Sequence, residues 1–427
     1  MASFSGFSDK FQAGISKVQN NRYIKSITGG LSALIPVMVV GAFSSLLTSM
    51  QIGDYQKWIA PIKVYLNLPY EFTTNVLAIY AVFMIAYRLA ETFEVSGVQS
   101  GLIALISFLI VTPVATFKAN GVAVQALTFD WLGAKGLFAA FIIGLVSARL
   151  YVWIVQHHLT IKMPAGVPPM ISEAFASLVP AAIISVIFVF VQALFAHTGF
   201  GSLHQAVYSI VQTPLQGLGN TFGSYIIAVF LMQLLWVIGI HGAMVVLSIM
   251  TPIWTALDLQ NLAAFRAGTA RPNLITSSMG VFTMIAPMLG LVLVLLIFAK
   301  SKELRTIAKL GAPGALFGIH EPLLFGLPVV MNPVLAVPYV LCPIVCSVIG
   351  YLLTIWGILP VSFGITVPFG TPVFLYGLIA GSWKFAVAQV LLIPVCMLIW
   401  YPFVLKMDKQ KLNIEAKAEE DLSAAEA

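Results

Sequence analysis

One carboxylate stands alone in a long apolar stretch of this sequence. Glu321 is the only Asp, Glu, Lys or Arg between Lys309 and Lys384, within the run Gly318-Ile319-His320-Glu321-Pro322. Burial penalises the ionised form, so such a group is paired, hydrated or kept protonated. Irregular backbone at membrane depth, which glycine and proline favour, lines a water-filled cavity or is buried in protein. We predict that Glu321, with His320 beside it, contributes to a substrate site; the alternative is a structural acid paired with a remote Arg.

A histidine flanked by glycines is the second polar feature. His241 lies in Gly239-Ile240-His241-Gly242, inside the stretch 174–257, which has no Asp, Glu, Lys or Arg. Imidazole titrates near neutrality, which suits a proton acceptor or the partner of a substrate hydroxyl. The alternative is a packing residue bonded to a backbone carbonyl. A shared function requires that His241 and Glu321 converge, which the sequence leaves open.

Three further side chains are candidates for substrate contact, each with a structural alternative. Trp383 either stacks on a substrate ring or anchors a helix at headgroup depth. Trp236 is a second stacking candidate, or an ordinary core or lipid-facing residue. Arg88 and Glu91 have the spacing of an ion pair on a helix surface, and contact of Arg88 with substrate is the other interpretation.

The composition is that of a polytopic membrane protein. The 427 residues are 59% hydrophobic and 9% charged, with a mean hydropathy of +0.97, whereas soluble domains carry roughly 25% charged residues. The net charge of +6 lies mainly in the ends and loops, which argues against nucleic-acid binding. Because the sequence contains no Walker A motif, Rossmann fingerprint or paired metal-ligand spacing, we expect no cofactor and no metal. The three cysteines, in apolar segments, are expected to be small buried residues.

Apolar length and flanking charge predict an all-α fold of about ten transmembrane helices. The weakly amphipathic stretch 198–221 suits an interfacial helix. Gly and Pro break the apolar stretches 312–331 and 360–382, which suit re-entrant hairpins. The predicted spans are 27–50, 72–90, 97–117, 136–156, 176–197, 222–240, 242–257, 276–299, 334–357 and 385–405.

Lysine and arginine set the orientation of these spans. Basic clusters precede the first span, follow the eighth and follow the last. All three face the cytoplasm only if 222–257 crosses twice, which splits that segment near His241. Both termini are then cytoplasmic, with 1–26 as an N-terminal segment and 406–427 as a short tail that is expected to fray.

The motifs around Glu321 and His241 resemble those of enzyme IIC, the membrane component of the bacterial sugar phosphotransferase system, in its lactose/cellobiose/diacetylchitobiose branch. The run 318–322, continued by Phe325-Gly326-Leu327-Pro328 and Asn332-Pro333, is similar to the family signature G-I-x-E-P, F-G-L-P, N-P. The run 239–242 matches its G-I-H-G, and Lys162-Met163-Pro164 with Val167-Pro168-Pro169 resembles a cytoplasmic loop of the family.

Departures from the family pattern, including the two that follow, leave the sugar open. His320 stands where the family usually has Asn, and Phe369-Gly370-Thr371-Pro372 replaces the usual Trp-Thr-Thr-Pro. The resemblance favours cellobiose, then diacetylchitobiose or lactose, because lactose forms are often fused to a IIB domain and this chain has none.

The resemblance also implies the assembly. It implies a homodimer in the bacterial cytoplasmic membrane, with 27–221 as a scaffold and dimerisation half and 222–405 as a sugar-transport half that moves as an elevator. The phosphoryl donor would be a phosphocysteine on a separate IIB protein, itself supplied by IIA, HPr and enzyme I. The chain would then be the membrane subunit of a sugar phosphotransferase, without complete catalytic activity of its own.

The mechanism expected from the sequence is sugar binding followed by transfer to C6. Glu321 and His241 would hold the C6 hydroxyl and one of them would accept its proton, with His320, Trp383, Trp236 and Arg88 as further candidate contacts. A proton-coupled secondary transporter without phosphorylation is the competing class, and a sensor of the same fold is the third.

Overall fold

The computed structural model describes residues 20–49, 54–119, 122–164, 166–283, 285–327, 329, 332–368 and 370–426. The helices and strands in chain order are α1 (Arg22–Ala33), α2 (Ile35–Ser49), α3 (Tyr55–Ile59), α4 (Lys63–Glu71), α5 (Leu77–Glu91), α6 (Gly97–Val111), β1 (Val114–Ala119), β2 (Val122–Leu127), α7 (Phe129–Leu132), α8 (Leu137–Gln156), α9 (Pro169–Ala176), α10 (Leu178–Ala196), α11 (Leu203–Val207), α12 (Thr213–Gly219), α13 (Phe222–Val237), α14 (Gly242–Arg266), α15 (Gly280–Thr283), α16 (Ala286–Phe298), α17 (Lys302–Leu316), α18 (Glu321–Gly326), α19 (Pro333–Ile355), α20 (Leu375–Ala380) and α21 (Trp383–Glu426).

Length and composition make this a multi-span membrane fold. In the described part of the chain, seven helical segments are long and apolar enough to cross a membrane, or up to nine if each of two bent pairs is one span. The bent pairs are α1 with α2, at 43°, and Leu203–Gly219 with α13, at 72°. Each of the ten predicted spans overlaps with helix, but α6 has only 15 residues. The count of ten therefore stays a prediction.

The third predicted span is wrong at its C-terminal end. Helix α6 ends at Val111, and the chain continues into an antiparallel hairpin in which Val114 pairs with Leu127 and Ala119 with Val122. The residues Asn120-Gly121 are a strong signal for a tight hairpin turn between β-prone segments. Apolar length did not reveal that signal, because Val, Ala and Phe raise hydropathy in a strand as they do in a helix.

The tail also differs from its prediction. It continues α21 as helix to Glu426 instead of fraying at residue 408. The first predicted re-entrant stretch contains, over residues 312–326, the end of α17, a turn and α18. The second is irregular over residues 361–368 and 370–374, with the Phe363 N–H donating to the Ala380 carbonyl over 3.1 Å, and ends in α20.

The chain forms two compact units. The first contains residues 1–219 and 248–270, and the second contains 220–247 and 271–427, so α14 passes from the second to the first at Ser248. The scaffold and transport roles expected for the two halves of the sequence stay predictions.

In the first unit, α5 is the central helix. Leu77, Ala81, Ile85 and Leu89 are fully buried along it, and α6 and α8 both pack against it and against each other. Small residues allow this close packing, which is the main force between helices when lipid is as apolar as the core. At the end of α14, Nη2 of Arg266 lies 3.4 Å from Oε1 of Glu71. Its guanidinium also lies over the Tyr70 ring, 3.5 Å from the centroid.

In the second unit, α16 packs along α21. A Cβ at Gly290 would lie 2.6 Å from the Cβ of Cys396, so the two helices touch through a glycine. The buried indole of Trp400 donates from Nε1 to the Pro287 carbonyl over 2.9 Å, which satisfies its only polar atom. All three cysteines are free and buried, which confirms their prediction as small core residues.

Candidate functional site

His241 is positioned by the turn between α13 and α14. The N–H of Ile240 donates to the Leu235 carbonyl over 2.9 Å, and the N–H of Gly239 donates to the Trp236 carbonyl over 3.0 Å. These two bonds define a Schellman motif, which requires a left-handed residue at its centre. Gly239 supplies it with φ 85°.

The next residues begin α14. His241 precedes the helix, and its Nδ1 accepts the N–H of Met244 over 3.2 Å, as a capping side chain does. A Cβ at Gly242 would lie 1.9 Å from the Met232 carbonyl oxygen. Glycine is therefore required at position 242 for this approach of backbone to backbone.

Glu321 is positioned by a second turn of the same kind, between α17 and α18. The N–H of Ile319 donates to the Gly314 carbonyl over 2.9 Å, and the N–H of Gly318 donates to the Ala315 carbonyl over 3.2 Å. Gly318 is left-handed, with φ 76°. His320 then occupies the N-cap position of α18, and Glu321 is its first residue.

The sequence Gly-Ile-His thus forms the same helix–turn–helix corner twice. Gly239 and Gly318 end one helix, and His241 and His320 each precede the next helix. The two corners position different functional groups. In the first, the functional group is the imidazole of His241; in the second, it is the carboxylate one residue beyond His320.

These two groups converge within the second unit. Nε2 of His241 lies 3.9 Å from Oε1 of Glu321, and their side chains are 39% and 46% exposed. Oε2 of Glu321 accepts the N–H of His320 over 3.0 Å, so the carboxylate is also held from behind. The convergence that the sequence left open is present, and both groups remain accessible.

The hydrogen bonds define which atom of each group faces the other. Nδ1 of His241 already accepts a hydrogen bond from the Met244 N–H, so in the neutral ring the proton is on Nε2. A direct bond at 3.9 Å is too long. A hydroxyl oxygen about 2.8 Å from each atom, a normal hydrogen-bond distance, fits between them as acceptor from Nε2 and donor to Oε1.

Two aromatic rings adjoin this pair. The Trp236 ring lies 4.3 Å from the His241 ring between centroids. Phe325 lies 6.4 Å from Trp236 at an interplanar angle of 70°. Phe325 is 66% exposed and stands four residues after Glu321 on α18, a spacing that puts both on one helix face. Sequence reasoning selected Trp236 but missed Phe325, although that spacing was a signal for it.

Two other candidate residues have different surroundings. Trp383, which is 64% exposed, lines an apolar groove of about 690 Å³ between α19 and α21, and neither His241 nor Glu321 lines that groove. Arg88 belongs to the first unit and pairs with Glu91 over 3.3 Å, with both side chains roughly half exposed. Substrate contact by either residue stays a prediction.

The part of the chain that the structure describes contains no group of three or more His, Cys, Asp and Glu side chains arranged to hold a metal ion. The groups present around His241 are a hydrogen-bond donor, a carboxylate acceptor and two aromatic faces.

Comparison with known proteins determines the family. The family model described as "Phosphotransferase system, EIIC" matches residues 28–343. The chain belongs to the EIIC family of the phosphotransferase system. EIIC proteins are multi-pass membrane proteins that take a sugar substrate and cooperate with a IIB domain, and the resemblance noted in the sequence is thereby confirmed.

Relatives within the EIIC family cover nearly the full chain. The oligo-beta-mannoside-specific EIIC component of Bacillus subtilis (strain 168) is 34% identical over 96% of this chain and 95% of its own length. The cellobiose-specific EIIC component of Geobacillus stearothermophilus is 32% identical, over 94% of each chain. The crystal structure of ChbC, the IIC component of an N,N'-diacetylchitobiose-specific phosphotransferase system, has a TM-score of 0.89 at 33% identity. That match covers 96% of this chain and 99% of ChbC.

Proposed function

We propose that this EIIC permease binds a β-linked disaccharide with the C6 hydroxyl of the nonreducing sugar between Nε2 of His241 and Oε1 of Glu321. The observation that carries the proposal is this pair of atoms, 3.9 Å apart. Nε2 faces the gap as a hydrogen-bond donor, and Oε1 faces it as a hydrogen-bond acceptor. A hydroxyl group is both acceptor and donor, so it matches both at once.

The aromatic rings support a sugar as the ligand. The C–H faces of a pyranose ring pack on aromatic side chains, and Trp236 with the exposed Phe325 offers such surfaces beside the polar pair. The relatives named for oligo-beta-mannosides, cellobiose and diacetylchitobiose support a β-linked substrate. Cellobiose is the first choice, followed by diacetylchitobiose and lactose.

The reaction proposed is phosphoryl transfer from a phosphocysteine on IIB to the C6 oxygen. The new O–P bond forms as the S–P bond breaks, and the IIB cysteine leaves as a thiolate. The proton of the hydroxyl passes to the carboxylate of Glu321. The product is a sugar 6-phosphate, whose charge disfavours return across the membrane.

Within this mechanism, Glu321 rather than His241 is the proton acceptor. Nδ1 of His241 is engaged by the Met244 N–H, and its Nε2 carries the ring proton, so the neutral imidazole has no free acceptor atom. His241 instead orients the hydroxyl by donating to its oxygen. Oε1 of Glu321 faces the same gap and is the available base.

The remaining parts of the transport cycle follow the family resemblance. The protein is proposed to be a homodimer in the bacterial cytoplasmic membrane, with both termini in the cytoplasm. Residues 222–405 are proposed to carry the sugar by an elevator movement to the face where IIB docks.

Vesicle uptake with product analysis tests this function. Radiolabelled cellobiose is presented to vesicles containing the protein, with and without a phosphorylated IIB protein. Sugar 6-phosphate that forms only with phospho-IIB is the expected result. Free cellobiose accumulating against a gradient without IIB would instead support a proton-coupled transporter.

A further inference from the structure

The outer face of α17 and the adjoining part of α21 form one basic surface in the second unit. Asp408 of α21 accepts the N–H groups of Lys300 over 2.9 Å and Ser301 over 2.8 Å, just before α17 begins. Glu415 accepts the Ser301 hydroxyl over 2.7 Å. These bonds bind α21 to the start of α17.

The acidic side chains of this surface are bonded to other groups of α17, α21 and the residues just before α17. Besides Asp408 and Glu415, Glu303 is the remaining acid of the segments 300–316 and 406–415, which contain seven basic and three acidic residues. Glu303 pairs with Lys411 over 2.7 Å. Lys309, Lys406 and Lys409 are exposed, so the surface presents positive charge outward.

The outward face of α17 is not the face that packs. Leu304, Ala308, Gly311 and Ala315 are the buried residues of the helix and form its inner stripe. On the outer side, Lys309 is exposed next to Leu310, which is 73% exposed, and Phe317 is 43% exposed just after the helix. A helix lying on lipid would separate charges from apolar residues into two faces. Here the charged Lys309 and the apolar Leu310 are consecutive exposed residues, as in a protein interface with an apolar anchor and surrounding charge.

The position of this face relative to the site is fixed by the chain. Helix α17 ends at Leu316 and α18 begins with Glu321. Four intervening residues reach no more than about 18 Å even when extended. A macromolecule seated on this face is therefore close to the carboxylate that receives the proton.

We propose that the exposed face of α17, with Lys309 and Leu310, and the exposed Lys406 and Lys409 of α21 are the docking surface for the phosphorylated IIB partner. This inference rests on the proposed function. The partner must carry a phosphoryl group of negative charge toward Glu321, and a basic surface on the helix that leads to that residue complements it. Charge of this kind raises the rate of encounter and sets the orientation of the partner.

The test is the dependence of sugar phosphorylation on the concentration of phospho-IIB. The full chain, in neutral phosphatidylcholine nanodiscs, is assayed as wild type and as the double variant K309E/K409E. We expect the KM for phospho-IIB to rise about tenfold or more, with kcat within twofold and the Kd for cellobiose unchanged. L310D should raise the same KM. Added salt should raise the wild-type KM more than that of the double variant, because screening weakens only the charges that remain.

The control is K384E, which reverses an exposed charge at the opposite end of α21 and should leave the KM for phospho-IIB unchanged. Unchanged cellobiose binding by each variant shows that it is folded, and K309Q/K409Q replaces the double reversal if that variant fails this check. A KM equal to wild type in the double variant would overturn the docking surface. A defect seen only as weaker binding to phosphatidylglycerol vesicles would also overturn the docking surface, because the face would then bind lipid. If the wild type makes no sugar phosphate at any phospho-IIB concentration, the proposed function itself fails.

Discussion

Nε2 of His241 and Oε1 of Glu321 face each other across 3.9 Å, and each group is held from behind by a backbone N–H. The Met244 N–H binds Nδ1 of the imidazole, and the His320 N–H binds Oε2 of the carboxylate. Each group is therefore preorganised by backbone bonds, which reduces the reorganisation needed when a hydroxyl enters. The predictions below follow from this relationship.

Glu321→Gln should remove the base while keeping the shape of the side chain. The amide accepts no proton, so the rate of sugar phosphorylation should fall by about 10²–10⁴-fold, the range for loss of general-base catalysis. The measurement is initial rate at saturating phospho-IIB and cellobiose. Glu91→Gln is the matched control, since it removes one charge of an exposed ion pair in the first unit and should retain the wild-type rate. Retention of the wild-type rate by Glu321→Gln would remove Glu321 from the mechanism.

Two substitutions of His241 should separate its two roles. His241→Asn keeps an oxygen that can cap α14 but loses the donor that Nε2 provides, so phosphorylation should fall while thermal stability is retained. His241→Gln places an amide N–H near the position of Nε2 but loses the cap. It should keep more activity and lose about 1 kcal/mol of stability, the usual cost of a missing N-cap. Phosphorylation rate and thermal unfolding in detergent are measured for both, and the opposite ranking would contradict the assignment.

Gly242→Ala should disrupt the corner that carries His241. The added Cβ would lie 1.9 Å from the Met232 carbonyl oxygen, so the backbone must move and sugar binding should weaken together with stability. Gly223→Ala is the control, because a Cβ at that position meets nothing within 4 Å and Ala is favoured in a helix by about 1 kcal/mol. Thermal unfolding and the Kd for cellobiose are compared in the two variants. Equal behaviour would show that the corner tolerates a side chain.

Phe325→Ala should weaken sugar binding more than it slows chemistry. Loss of an aromatic face costs roughly 0.5–1.5 kcal/mol beyond area burial, so KM for cellobiose should rise several-fold with kcat little changed. Phe325→Tyr should preserve the face and the KM. Phe190→Ala, on α10 of the first unit and 70% exposed, serves as the matched control. A fall in kcat without a change in KM would place Phe325 outside the sugar-binding surface.

Much of the site could be predicted from chemical exceptions in the sequence. Glu321 and His241 were recognisable because ionisable groups are rare in such apolar stretches, and the glycines beside them indicated broken helices. Their convergence could not be predicted, because it depends on two Schellman corners meeting across the second unit. Phe325 was missed for a related reason, since Phe is common in an apolar helix and only its exposure beside Trp236 distinguishes it.

The fold was predicted best where the hydropathy pattern was compatible with a single type of secondary structure. Long apolar runs gave the helices, because an α-helix satisfies the backbone hydrogen bonds of such a segment in lipid without a second segment. The β1–β2 hairpin was missed because Val114–Ala119 is as apolar as a helix end, and its decisive signal is the single pair Asn120-Gly121. The helical end of α21 was missed because a charged, Ala-rich tail can be helical when it continues a packed helix.

The central claim is that the C6 hydroxyl of the nonreducing sugar lies between His241 and Glu321. It is tested most directly by binding cellobiose and its 6′-deoxy analogue to the wild type and to His241→Asn, by isothermal titration calorimetry without IIB. The wild type should bind cellobiose about tenfold more tightly than the 6′-deoxy analogue, because the analogue leaves Nε2 without its acceptor. In His241→Asn the ratio of the two Kd values should fall toward one. The same preference in both proteins would contradict the account, because the hydroxyl would then bind elsewhere.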